Sequence, residues 1–237
     1  MVFDIITLFP ESFSYLNTSI LKKAQEKKII KVRFWNPRDF AKDKREVDDK
    51  PYGGSPGMVL KFEPIYKALE KAKKTYKTKK RKIVLTHPAG KIFNQNLARE
   101  LSKEKQIIII CGHYEGIDAR IEKFVDLKIS VGKYILTGGE LPAMIIIDAI
   151  TRHLPGALHH PLSLEEKRYN QGLYSYPVYT RPEIIIIKRG LTRTGRRPTR
   201  LPAGKAGTIK LKVPKVLLSG NHKLIEEWRK KHSKKII

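Results

Sequence analysis

One cysteine, Cys111, stands in a chain of 237 residues, which excludes an internal disulfide and any multi-cysteine metal site. It ends an apolar run, so its thiol reads as a buried, inert side chain and not as a nucleophile. Acidic residues are scarce too: 23 Asp and Glu face 49 Lys and Arg, a formal net charge of +26. That excess favours a polyanionic partner, nucleic acid above all; the bland explanation is a general bias toward lysine. No apolar stretch reaches the roughly 18 residues a membrane helix needs, and even the helix after Pro142 carries Asp148. The start lacks the order of a secretory signal, because Asp4 interrupts the apolar run and no basic segment precedes it. The chain therefore reads as cytoplasmic, with no membrane partner. Neither a P-loop nor the fingerprint G-x-G-x-x-G occurs, and there is no internal repeat.

What is present is a folded chain. Hydrophobic residues make up 41%, enough for one large domain, or a domain with a smaller appendage. Val2 to Phe9 is mostly apolar and β-branched, and Pro10 closes it: a buried strand. Ser19 to Lys28 has helical spacing, and Ile30 to Trp35 alternates as a second strand. Strand, helix, strand favours a parallel sheet. Asp48 to Met58, DDKPYGGSPGM, packs two prolines and three glycines into eleven residues, which predicts a shaped loop. Glu63 to Ala72 is a helix that runs into Lys71 to Lys82, where eight of twelve residues are basic. Such a run is either a solvated, mobile segment or a contact for phosphate backbone. Lys82 to Thr86 is a strand ending in His87-Pro88-Ala89-Gly90; Asn94 to Lys103 is a helix, and Gln106 to Cys111 a fully buried strand.

Two stretches organise the rest. Ile107 to Asp118, IIIICGHYEGID, and Ser130 to Met144, SVGKYILTGGELPAM, are each a short apolar run ending in a glycine-containing turn. Gly138 and Gly139 let a ligand come close to the backbone. Glu140 then sits in the first turn of a helix, where a carboxylate is favoured, and Pro142 suits the same turn. Turns at the carboxyl ends of neighbouring strands are where open α/β sheets bind ligands. Beyond them, Leu158 to Arg181 lacks periodicity. Lys188 to Lys212 holds nine basic residues and no acidic ones, which reads as an inserted flexible loop. Lys223 to Lys231 is a helix with a basic face.

The motifs CGHYEGID, SVGKYILTGGELPAM, DDKPYGGSPGM, YPVYTRPE and LLSGNHKLIEEWR stand in the order found in bacterial tRNA (guanine-37-N1)-methyltransferases, the TrmD family. The chain resembles that family from ITLFPESF to the helix around Trp228. The resemblance implies an α/β fold of the SPOUT class, a parallel sheet with a deep trefoil knot, plus a small, shortened, mainly helical C-terminal region. The implied boundaries are 1–157 for the knotted domain that binds S-adenosyl-methionine and 158–187 for an active-site linker. They continue with 188–212 for the basic insertion and 213–237 for a tRNA-binding region. It also implies a homodimer with the active site shared across its interface.

The methyl donor, S-adenosyl-methionine, would lie between His87 to Gly90, Gly112 to Gly116 and Val131 to Pro142. Backbone groups of Val131, Gly132, Tyr134, Leu136 and Gly139 would hold adenine and ribose, with Pro88 and Gly112 nearby. Tyr114, Glu115, Gly116, Lys133, Ile135, Gly138 and Pro142 complete the implied donor site. The implied substrate is the anticodon stem-loop of tRNA, with Asp49, Tyr52 and Gly54 as candidate contacts beside Tyr114 and Glu115. Mg2+ is a family cofactor candidate, though no ligand cluster in the sequence marks a site for it.

Methylating guanine N1 requires removal of its proton, which a carboxylate can take, and stabilisation of charge on O6, which a guanidinium can supply. Arg152 stands where the family keeps its catalytic arginine. The family's aspartate base falls here on Lys167, and a second family aspartate on Ser175. A protonated lysine cannot accept a proton at neutral pH. Glu165 and Glu166 are the nearest carboxylates, so Glu166 is one candidate base, and a catalytically weak or inactive protein is the competing reading. Two further readings stand beside these: a SPOUT enzyme for another RNA, such as ribosomal RNA, and a non-enzymatic RNA-binding module.

Overall fold

The computed structural model describes residues 1–158, 176–188 and 208–233. The chain forms two compact units, Met1–Pro161 and Leu162–Ile237. In the first unit, β1 (Val2–Ile6), β2 (Lys31–Trp35), β5 (Arg81–Ile92), β6 (Gln106–Ile110) and β7 (Leu127–Ser130) make one sheet in the order β2-β1-β6-β5-β7. All its pairings are parallel. Four helices, α1 (Ser19–Glu26), α2 (Phe62–Thr75), α3 (Gln95–Leu101) and α4 (Glu140–Thr151), cover it.

Period-two alternation sorts the strand side chains to the two faces. Ile107 and Ile109 of β6 join a core with Phe3, Ile5, Leu21, Leu97 and Ile147, while Ile108 and Ile110 join a core with Ile65, Leu69 and Leu85. Both faces are apolar, so β6 reads as an unbroken isoleucine run, as parallel strands covered on both sides do. Ile65, Ala68, Leu69 and Ala72 recur at helical spacing on the buried side of α2.

Several elements differ from the sequence expectations. Pro10–Asn17 forms a 3-10 helix that packs Phe13 and Leu16 inward. The basic run 71–82 opens inside α2, which continues to Thr75, and closes inside β5, which begins at Arg81. His87 to Gly90 is not a terminal turn. β5 pairs with β7 up to Thr86, breaks register, and pairs again from Lys91. A Cβ on Gly90 would lie 2.6 Å from the backbone of Lys128 and Ile129, so the chain can graze β7 there only without a side chain. Asp48–Asp49 (β3) pairs antiparallel with Val59–Leu60 (β4), so the glycine-proline segment closes a small hairpin.

In the second unit, β8 (Ile184–Lys188) pairs antiparallel with β9 (Thr208–Lys212). This corrects the reading of 188–212 as unfolded throughout: Thr208-Ile-Lys-Leu-Lys alternates with period two and forms a strand. A helical turn, Lys215–Leu218, and a helix, His222–His232, follow. Arg229 lies over the Tyr176 ring at 4.9 Å, and Trp228 stacks on His232 with centroids 4.1 Å apart.

Candidate functional site

A cavity of about 440 Å³ lies at the carboxyl ends of β6 and β7, beside the register break of β5. Its walls come from three places: Thr86, His87 and Pro88 of β5, the turn after β6 from Gly112 to Ile117, and the segment from Ser130 to Gly139 after β7. Leu85 and Ile129 add apolar surface, and Pro142 contributes from the first turn of α4.

The two glycine turns touch. The Gly139 N–H donates to the Gly112 carbonyl at 2.7 Å, and His113 and Gly138 form an isolated antiparallel bridge. A Cβ on Gly139 would stand 2.7 Å from Cys111 Cα and 2.8 Å from Gly112 N. The contact therefore exists only because this residue has no side chain.

Behind the turns lies a buried polar group. Glu140 is 8% exposed, and its Oε1 accepts a hydrogen bond from the Thr7 hydroxyl at 2.8 Å. His113 Nδ1 is 3.9 Å from Glu140 Oε2, beyond hydrogen-bond reach. Among the described residues it is the buried side-chain polar atom without a partner. The His113 ring packs against Phe9 and edge-on to Tyr114, whose φ of 57° holds the turn in a left-handed conformation. Burial, reinforced by the charge of Glu140, pushes the Cys111 thiol well above its ordinary value. That thiol is held protonated, in keeping with an inert role.

Of the residues assigned to the donor by resemblance, all but Lys133 line the cavity. Asp49, Tyr52 and Gly54 do not line it, yet their hairpin is joined to it. The Glu115 N–H donates to Met58 C=O, the Leu60 N–H to Gly116 C=O and the Asp118 N–H to Leu60 C=O, each at 3.0 Å. Tyr52 projects fully into solvent, and Asp49 pairs with Lys61 at 3.6 Å. Glu166, Lys167 and Ser175 lie outside the described residues. Arg152 caps the far end of α4. At 1.5 Å per residue it stands roughly 18 Å along the helix from Glu140, so a single chain does not bring it to the cavity. Thr86, Ser130 and Glu122 also line the wall. Sequence reasoning passes over them, although Ser130 ends a strand, where such walls are expected. Among the described residues no group of three or more His, Cys, Asp or Glu could hold a metal ion.

The profile of one family, tRNA (Guanine-1)-methyltransferase TrmD, matches residues 1–189. The chain belongs to this family. It is 50% identical over 236 residues to a tRNA (guanine-N(1)-)-methyltransferase of Carboxydothermus hydrogenoformans, covering 98% of this chain and 83% of that relative. A protein of the same name from Caldanaerobacter subterraneus subsp. tengcongensis is 47% identical, covering 100% of this chain and 88% of the relative. The crystal structure of tRNA (m1G37) methyltransferase from Aquifex aeolicus superposes with a TM-score of 0.74 at 42% identity, covering 98% of this chain and 88% of that one. No helix among the described residues is long and apolar enough to cross a membrane.

Proposed function

We propose that this protein transfers a methyl group from S-adenosyl-methionine to N1 of guanine 37 of tRNA, working as a homodimer with the knotted SPOUT topology. The observation that carries this reading is the cavity built by the two contacting glycine turns, in a chain of the TrmD family. The cavity suits a nucleoside-like donor. Its volume falls within the range of small-molecule sites, its floor is apolar, and its turns offer backbone groups without intervening side chains. Val131, Gly132, Tyr134, Leu136 and Gly139 would hold the donor, with Pro88, Gly112 and Pro142 beside them. When bound, the donor supplies an electrophilic methyl group.

The chain's own residues supply the rest. The N1 proton of guanine passes to a carboxylate, for which Glu166 is the candidate. Arg152 stabilises the negative charge that develops on O6 through its fixed, permanently charged fork. Because Arg152 lies at the far end of α4 from its own cavity, a second copy of the chain is the source of this group. The same side of α4 supports that arrangement: Leu141 and Ile145, about three and two turns before Arg152, are 55% and 45% exposed. Ile135 and Leu136 on the cavity segment are exposed as well. Together they form an apolar surface suited to burial against a second protomer.

The deciding experiment is methyl transfer from S-adenosyl-methionine to tRNA transcripts carrying guanine or adenine at position 37. Turnover confined to the guanine transcript is expected; equal or absent turnover on both overturns the reading. Lys167 at the family's aspartate position keeps a second reading alive, a catalytically weak homologue. Calorimetric binding of the donor without turnover would select it.

A further inference from the structure

The other end of the same sheet carries a second feature. The four strands β2, β1, β6 and β5 start in register: Lys31 lies beside Val2, Val2 beside Gln106, and Gln106 beside Arg81. The segments that lead into them are tied together across this edge. The Lys105 N–H donates to Lys80 C=O at 3.0 Å, and the Val2 N–H donates to Lys105 C=O at 2.9 Å. α2 also arrives here, since Arg81 donates to the carbonyls of Lys73 and Tyr76.

The leading segments 27–31, 77–80 and 103–105 carry eight lysines, all exposed, with Glu104 as their one acidic residue. None of these ammonium groups has an ion-pair or hydrogen-bond partner among the described residues. Elsewhere in the unit lysines do find carboxylates, as in Lys22–Glu26, Lys67–Glu63 and Lys128–Glu122. At strand spacings near 4.8 Å the row from β2 to β5 is about 14 Å across. Strands of five residues set it roughly 17 Å from the cavity. A row of unpaired positive charge of this kind is what a nucleic-acid backbone neutralises, releasing its counterions. A membrane-surface site would also expose large apolar side chains to insert, and none of the exposed large hydrophobic residues falls in these three segments.

We propose that the amino-terminal edge of the sheet is a second RNA-docking surface, one that grips the sugar-phosphate backbone by charge, without reading bases, on the side away from the cavity. The proposal stands on charge placement and not on the methyl-transfer reading, so its test is a binding measurement without donor. Unmodified tRNA transcript is titrated against the full chain over a salt series, with three variants alongside. The first replaces Lys79, Lys80, Lys103 and Lys105 by Gln. The second makes the same four positions Arg. The third replaces Lys22, Lys23, Lys44 and Lys67 by Gln, removing equal charge elsewhere.

The edge Gln variant should weaken binding at least tenfold at low salt and lower the slope of log K against log salt by about 2 to 3. The Arg variant should keep the wild-type slope, and the charge-matched control should change it by less than about one. Should the fourfold Gln variant not fold, the pair Lys79→Gln and Lys103→Gln should remove about half the effect. An unchanged slope in the edge Gln variants overturns the proposal, as does an equal loss in the control, which would make total charge the cause. Binding to phosphatidylserine vesicles that depends on these lysines, with RNA binding intact, would overturn it as well.

Discussion

Two buried carboxylates, one midway along β1 and one at the start of α4 behind the glycine turns, are treated in opposite ways. Asp4, fully buried on β1, is saturated: Arg33 donates to both its oxygens at 2.7 Å, Trp35 Nε1 donates at 2.7 Å and Gln106 Nε2 at 2.6 Å. Glu140, almost as buried at the start of α4, has one side-chain donor among the described residues, Thr7, and beside it a histidine nitrogen with no partner among them. A saturated network rigidifies, and a partly satisfied one persists where something other than stability is served. The difference separates a network that ties β1, β2 and β6 together from a group left partly satisfied behind the cavity.

The comparison breaks if the Asp4 network turns out to be dispensable. Asp4→Asn removes the charge that Arg33 neutralises and should cost about 3–5 kcal/mol, the range for breaking a buried pair by changing one partner. Thermal or denaturant unfolding checks this. Below its melting temperature the variant should still bind S-adenosyl-methionine with wild-type affinity; weakened donor binding in the folded variant would mean that the two carboxylate sites are not separable.

Gly139→Ala attacks the cavity side. The new methyl group would meet the backbone of Cys111 and Gly112, which cannot swing away as a side chain can. Overpacking of this kind costs about 1–3 kcal/mol, and it should force the two turns apart. Calorimetry should then find donor binding reduced by at least a hundredfold, more than the stability loss explains. Thr7→Val is gentler. It leaves Glu140 buried without its hydroxyl donor, for about 1–3 kcal/mol. If the carboxylate serves to set the turns, donor affinity should fall along with the melting temperature, and unaltered affinity would reduce Glu140 to a structural role.

How far the sequence anticipates these sites depends on the range of the interactions. The strands and helices of the first unit follow from local periodicity, because Ile107 to Ile110 and Ile65 to Ala72 carry their burial in their spacing. The cavity is legible through family motifs, with Gly112 and Gly139 in the two turns that meet. Asp4 is legible only as an interruption in an apolar run. Its partners lie 29, 31 and 102 residues away, and no local pattern announces contacts at that distance. The Thr7–Glu140 bond spans 133 residues and is equally hidden. β9 escapes sequence reasoning for a different reason: its alternation is short, and the lysines on one face resemble a solvated segment. The lysines of the amino-terminal edge are visible singly in three separate segments, but only the parallel register gathers them into one row.

The smallest expected effect sharpens the contrast by placing a charge pair at the open end, in solvent. Asp118 begins the short helix Ala119–Phe124, accepting from the Arg120 N–H at 3.0 Å and from its guanidinium. The side-chain hydrogen bond from Arg120 holds the Asp118 carboxyl below its ordinary value. A folded-state value below the unfolded one means that the pair stabilises above the ordinary carboxylate range and loses its contribution as pH falls through the folded value. Arg120 is 71% exposed, so screening keeps that contribution under about 1 kcal/mol. Asp118→Asn keeps an acceptor for the helix start and removes only the charge. Its stability should therefore trail the wild type by this small amount at neutral pH, and the two curves should converge in acid. Asp4→Asn should instead fall well below the wild type at neutral pH, because Arg33 then faces a neutral amide in a buried site. Equal losses for the two variants at neutral pH would mean that burial and saturation do not govern what a carboxylate contributes here.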